Sequence, residues 1–119
     1  MRVMVLVIGD PANETSDPPS EKMMTEMGAF NDELVKAGVM LAGEGLLPSS
    51  QGARVVFSGT ERKVIDGPFT ETKELVAGYW IWQVKSFDEA REWAQRIPNP
   101  EQQDGIVELR PLYEAGDIG

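Results

Sequence analysis

Cysteine and histidine are both missing from this 119-residue chain. Without cysteine there is no disulfide framework, thiolate zinc site, iron–sulfur cluster or cysteine nucleophile. Without histidine there is no Ser-His-Asp triad, imidazole metal ligand or histidine proton shuttle. Cations are scarce: 11 Lys plus Arg stand against 20 Asp plus Glu, a net charge of −9. Such a field repels polyanions and argues against nucleic acid or an anionic membrane as a partner. No apolar run approaches the roughly 20 residues of a membrane-spanning helix. The N-terminal run Val3–Ile8 is broken by Gly9-Asp10 too soon for a signal peptide. These absences point to a cytoplasmic protein with no cofactor and no metal site. What remains is 41% hydrophobic and 26% charged. That composition suits one globular domain over residues 1–119, with a core over 1–112 and a polar tail over 113–119.

Val3–Ile8 is an unbroken aliphatic run, short enough for a strand buried on both faces. A polar, proline-rich loop follows. Ser20 then reads as the N-cap of a helix, with Glu21 and Glu26 in its early turns. Met23, Met27, Phe30, Leu34 and Ala37 recur at helical spacing, and Gly38 is a natural stop. Val39–Leu47 reads as a second strand containing Glu44. After the loop Pro48–Gly52, Arg54–Phe57 and Arg62–Ile65 flank Ser58-Gly59-Thr60-Glu61 as a hairpin. Ala77–Val84 is strand-like and aromatic. Ser86 and Glu89 form a capping box for a helix whose stripe is Phe87, Ala90, Trp93, Ala94 and Ile97. Ile106–Leu112 is the last strand.

With the hairpin set aside, the order is β-α-β-β-α-β, the ferredoxin-like α+β arrangement of an antiparallel sheet with both helices on one face. The first strand is apolar in both registers, and so is Ala77–Val84. The sheet's second face is therefore expected to be apolar, and apolar surface of that extent needs a cover. The same face of a second copy is the simplest one, giving a homodimer in which two sheets close an α+β barrel.

The most distinctive run is Asp66-Gly67-Pro68-Phe69-Thr70-Glu71-Thr72-Lys73-Glu74. With Gly43-Glu44-Gly45-Leu46, Gly78-Tyr79 and Glu108-Leu109-Arg110-Pro111, it resembles the DGPF-motif branch of the YCII-related proteins, over essentially the whole chain to about Leu112. The resemblance implies a dimeric α+β-barrel fold. It delivers no reaction, since members of this branch are mostly described as uncharacterised, and it implies an association of some members with extracytoplasmic-function sigma factors. It also implies an Asp–His pair in the wider group. Asp66 matches the Asp of that pair, but this chain has no His to match the other half.

Chemistry must then rest on other groups. An Asp at the mouth of an apolar pocket acts as a general base when burial raises its pKa, and Gly67-Pro68 would hold Asp66 rigidly. If Glu44 and Lys73 converge on it, two carboxylates and a cation surround one cleft, the catalytic set expected here. Arg54, Gly67, Pro68, Phe69, Tyr79 and Arg110 are the expected ligand-contacting residues. Structural readings stand beside these. Asp66 before Gly-Pro can form an Asx turn, Thr70 can cap a single helical turn bearing a solvated Lys73, and Phe69 can plug a core. Tyr79, Trp80 and Trp82 suit a core and dimer interface, and Arg110-Pro111 suits the end of an edge strand. Two functions follow. One is a small-molecule-binding protein with a cleft near Asp66, working as a carboxylate acid–base enzyme without a cofactor. The other is a non-catalytic accessory protein beside a sigma factor.

Overall fold

A computed structural model describes residues 1–118. In chain order the elements are β1 (Arg2–Gly9), α1 (Glu21–Lys36), β2 (Met40–Gly45), β3 (Ala53–Ser58), β4 (Glu61–Asp66), β5 (Leu75–Gln83), α2 (Phe87–Ala94), β6 (Ile106–Pro111) and a short α3 (Ala115–Ile118). Four strands form one antiparallel sheet in the order β2-β5-β1-β6, while β3 and β4 pair only with each other. This is the ferredoxin-like α+β fold with an inserted hairpin.

Side-chain alternation sorts the two faces of the sheet. Val3 and Val5 of β1 pair with Trp82 and Trp80 of β5 and are fully buried. Phe30 and Leu34 of α1 and Ala90 of α2 close over them, joined by Val39 and Val84. Phe30 meets Trp80, Trp82 and Trp93 edge-on at 6.0–6.4 Å between ring centroids, a favourable geometry for aromatic pairs. Trp80 donates its indole N–H to Asn31 Oδ1 at 2.9 Å. Across from Trp80 stands Gly43, where a Cβ would lie 2.6 Å from the indole Cδ1. The edge strand therefore needs a glycine for the indole to approach it this closely.

The alternate residues face away from the helices. Met4, Leu6 and Ile8 of β1 lie on that side, with Tyr79 and Ile81 of β5 and Ile106 of β6. Glu44, opposite Tyr79, and the Glu108–Arg110 pair rim this apolar strip. The fold thus leaves one sheet face without a second layer. The molecule's extents of 45 × 45 × 19 Å agree with two layers only.

Both caps form as the sequence indicates. Ser20 Oγ accepts from Met23 N, and Ser86 Oγ accepts from Glu89 N, while the Glu89 carboxylate accepts from Lys85 N. Boundaries differ in places. β2 ends at Gly45, leaving Leu46 and Leu47 outside: Leu46 N still donates to Ala77 O at 2.8 Å, and the chain then turns away from β5 into the Pro48–Gly52 turn. β5 starts two residues earlier than the aromatic run, since Leu75 and Val76 pair with Gly9 and Ile8 past a bulge in the ladder. Ala37 is an exposed C-cap, and Ile97 packs on the core from beyond the end of α2. Thr70 does not begin a helical turn: Thr72 closes a simple turn by donating its hydroxyl to Phe69 O at 2.7 Å and its N–H to the same atom. The segment expected to be a polar tail is tied down, with Arg2 donating to the Glu114 carboxylate and α3 following. Its last residue, Gly119, lies outside the described residues.

Leu34 is fully enclosed, so Leu34→Ala should lower the unfolding free energy by about 2–5 kcal/mol, read from urea denaturation followed by tryptophan fluorescence. The hydrogen bond from Arg2 holds the Glu114 carboxyl below the usual carboxylate range, with burial opposing in part. A carboxyl whose pKa falls on folding stabilises the fold at neutral pH and loses that contribution as pH drops through the lowered value. Glu114→Gln should therefore flatten the acid limb of the pH–stability curve while leaving Tm at high salt near that of the wild type.

Candidate functional site

The Asp66–Phe69 bend joins the β3–β4 ribbon to the main sheet, and its backbone is packed against the Pro48–Gly52 turn. Gly67 N donates to Gly52 O at 3.0 Å. Phe69 N donates to Ser49 Oγ at 3.2 Å, and a Cβ on Gly67 would lie 1.8 Å from Ser49 O. Only glycine permits this approach. Ser49 is fixed in turn by Glu14, whose carboxylate accepts from Ser49 N at 2.7 Å and from Ser49 Oγ at 2.6 Å. The bend, the turn and the loop after β1 thus form one hydrogen-bonded unit.

Phe69 is buried, though apart from the main core. Its ring lies beneath the Arg54 guanidinium, 4.0 Å from carbon to centroid, a cation–π contact. Arg54 Nη2 donates to Thr72 Oγ1 at 3.3 Å, and Arg54 Nη1 lies 3.5 Å from a Glu71 carboxylate oxygen. That ion pair is largely solvated and holds the guanidinium weakly. Arg54 and Phe69 line a cleft of about 420 Å³ together with the apolar Leu46, Leu47, Leu75 and Val76 and the polar Glu14 and Ser49.

Two other clefts lie at the far end of β1. One, about 460 Å³, is lined by Asp10, Lys73, Glu74 and Asp104 among others; the second, about 600 Å³, by Asp10, Thr70, Thr72 and Lys73. Among the described residues no three Asp or Glu side chains gather in a group that could hold a metal ion.

The structure distributes the expected residues unevenly. Arg54, Gly67 and Phe69 come together at the bend, with Pro68 exposed on its outer side. Asp66 ends β4 opposite Ala53, exposed, and no side-chain hydrogen bond or Asx turn forms there among the described residues. Glu44, Tyr79 and Arg110 share the uncovered sheet face, where Arg110 pairs with Glu108 at 3.1 Å. Lys73 lines the two clefts at the β1 end. Asp66 and Glu44 line none of the three clefts, and no ion pair joins Asp66, Glu44 and Lys73 to one another among the described residues. Ser49, Glu14 and Thr72 were not singled out from the sequence. Each is a loop residue whose partner is remote or local to a bend, and no periodicity marks such contacts.

Because the Gly67 contact is with backbone, it cannot give way cheaply. Gly67→Ala should cost at least about 1–3 kcal/mol, whereas Gly105→Ala, which meets open space, should be near neutral. Chemical denaturation of the two variants in parallel checks the difference.

Comparison with known proteins adds the lineage of this arrangement. A family model for the YCII-related domain matches residues 1–115. An uncharacterized protein of Rhizobium meliloti (strain 1021) is 33% identical over 105 residues, covering 87% of this chain and 85% of that protein. A match over nearly the full chain, supported by a relative of similar length, means that this protein belongs to the YCII-related family.

Proposed function

We propose that this YCII-related protein, assigned here to the branch carrying the Asp66–Phe69 motif, binds a small amphipathic anion in the cleft beside that motif and acts as a homodimer in the cytoplasm. The observation that carries the reading is Arg54, held over the Phe69 ring in a cleft whose lining includes the exposed Leu46, Leu47 and Val76. A cation pre-oriented by an aromatic ring and loosely paired with exposed Glu71 is available to a carboxylate or similar group. The leucines and Val76 suit a short hydrocarbon portion, and the cleft volume lies within the usual range for ligand pockets, roughly 300–1,000 Å³. Arg54 is the one cation lining this cleft among the described residues, and the Glu14 carboxylate that also lines it is engaged by Ser49, so the guanidinium is the group left to meet an anion.

Binding without turnover is the form best supported, because Asp66, Glu44 and Lys73 do not share a cleft. In the catalytic form, Asp66 is the base, Glu44 the second carboxylate and Lys73 the cation for a developing oxyanion, with Tyr79 and Arg110 contacting substrate. That form requires a rearrangement bringing the three together. In the regulatory form, the bound anion changes the protein's affinity for an extracytoplasmic-function sigma factor.

Isothermal titration with octanoate, against a panel of short carboxylates and alkyl phosphates, tests the reading. The wild type should bind at least one probe. Arg54→Gln should weaken it tenfold or more, the loss expected for a charged hydrogen bond of about 1.5–3 kcal/mol, whereas Asp66→Asn should leave affinity unchanged. If no probe binds at millimolar concentration, or Arg54→Gln binds as the wild type does, the proposal fails. Turnover abolished by Asp66→Asn would favour the catalytic form.

A further inference from the structure

Beyond its base, which Arg54 and the Gly52–Gly67 hydrogen bond fasten to the rest of the chain, the β3–β4 ribbon is unsupported among the described residues. Neither strand packs extensively on any other element, and an isolated two-stranded ribbon is marginal in water at best. Its register places Val55, Phe57 and Val64 on one face, 50%, 66% and 65% exposed. Val56 and Ile65 on the other face are 44% and 40% exposed. A patch of this kind on an unsupported ribbon marks a contact surface. The molecule's dimensions agree: its radius of gyration is 16.4 Å, against ~13.5 Å for a compact chain of this length.

The face bearing Val55, Phe57 and Val64 carries one cation, Arg62 opposite Phe57, and one anion, Asp66 opposite Ala53, so it is neutral, while Arg54 and Lys63 lie on the other face. A neutral apolar face suits burial on protein, and a second copy is the partner the uncovered sheet already implies.

Area points the same way. The uncovered face of the four-stranded sheet spans ~400 Å² at ~4.8 Å per strand and ~3.4 Å per residue, so two such faces bury ~800 Å², half the ~1,600 Å² of a standard stable interface. One face of a ribbon of six-residue strands covers ~200 Å² on the same spacings. Two ribbons, each with the surface it covers, supply the missing ~800 Å².

We infer that the two copies of the homodimer exchange ribbons, the Val55–Phe57–Val64 face of each lying on the body of the other. The inference rests on the homodimer reading above and goes beyond it, because the ribbon and not the sheet alone then holds the pair together.

Sedimentation from about 1 to 100 µM, on the wild type, Phe57→Asp/Val64→Asp and the sheet-face variant Ile81→Lys, tests this. The expected result is a dimeric wild type and a ribbon variant whose dimer is at least 100-fold weaker with unchanged circular dichroism. Hydrogen exchange on the wild type gives a second measurement free of any folding defect: amides of Val55–Val64 should gain protection as protein concentration rises. A ribbon variant that dimerises like the wild type while Ile81→Lys is monomeric overturns ribbon exchange and leaves the sheet dimer standing. Absence of concentration-dependent protection in a dimeric wild type overturns it equally. A wild type that stays monomeric throughout removes the homodimer reading and the exchange together.

Discussion

Two helices cover one face of a four-stranded sheet and no more, and this sheet is apolar on both. Val3 and Val5 point into the layer closed by Phe30, Leu34 and Ala90, and are lost to solvent altogether. Met4 and Leu6, one residue along, point out of the opposite side. A period of two along β1 cannot place both sets under the same helices. The fold is therefore well determined in its covered half. In its other half it is an incomplete object, a slab 19 Å thick with a greasy strip rimmed by Glu44, Glu108 and Arg110. The proposals about assembly follow from that imbalance.

The bend at Asp66–Phe69 solves a different problem. A hairpin inserted between β2 and β5 has to leave the sheet and return to it, and the return is secured by backbone contacts that exclude any side chain at Gly67. Ser49 makes three hydrogen bonds there: it accepts from Phe69 N and donates twice to Glu14. The most distinctive motif of the sequence is in the first instance a fastening, and Arg54 over Phe69 is the point at which the fastening borders a cleft. A motif dense in Gly and Pro and headed by Asp is compatible with catalysis and with chain reversal alike, because both uses require a rigid backbone.

Much of the fold was legible from local signals. Ser20 and Ser86 cap the helices where their spacing to the following residues indicates, and the apolar stripe through Phe30 and Leu34 faces the core. Strand ends were less legible. Leu46 and Leu47 continue an apolar run, yet the ladder stops at Gly45 because the chain leaves the sheet edge for the Pro48–Gly52 turn while β5 runs on to Leu75. The site was legible in part: Arg54 and Phe69 meet, while Glu44 lies on a sheet face and Lys73 at the end of β1. Ser49 and Glu14, 35 residues apart, carry no mutual signal in the chain.

By itself the sequence determined which chemistries are closed to this protein, the order of its elements and the two-sided apolar character of its central strands. All three depend on residue type and on spacing within a few residues, where helical and strand periodicity act. Only the tertiary structure decided that the ribbon stands off the body, that Gly67 is pressed against Ser49, and that Asp66, Glu44 and Lys73 occupy separate places. Those outcomes are set by the packing of segments distant along the chain, whose relative placement no local pattern encodes.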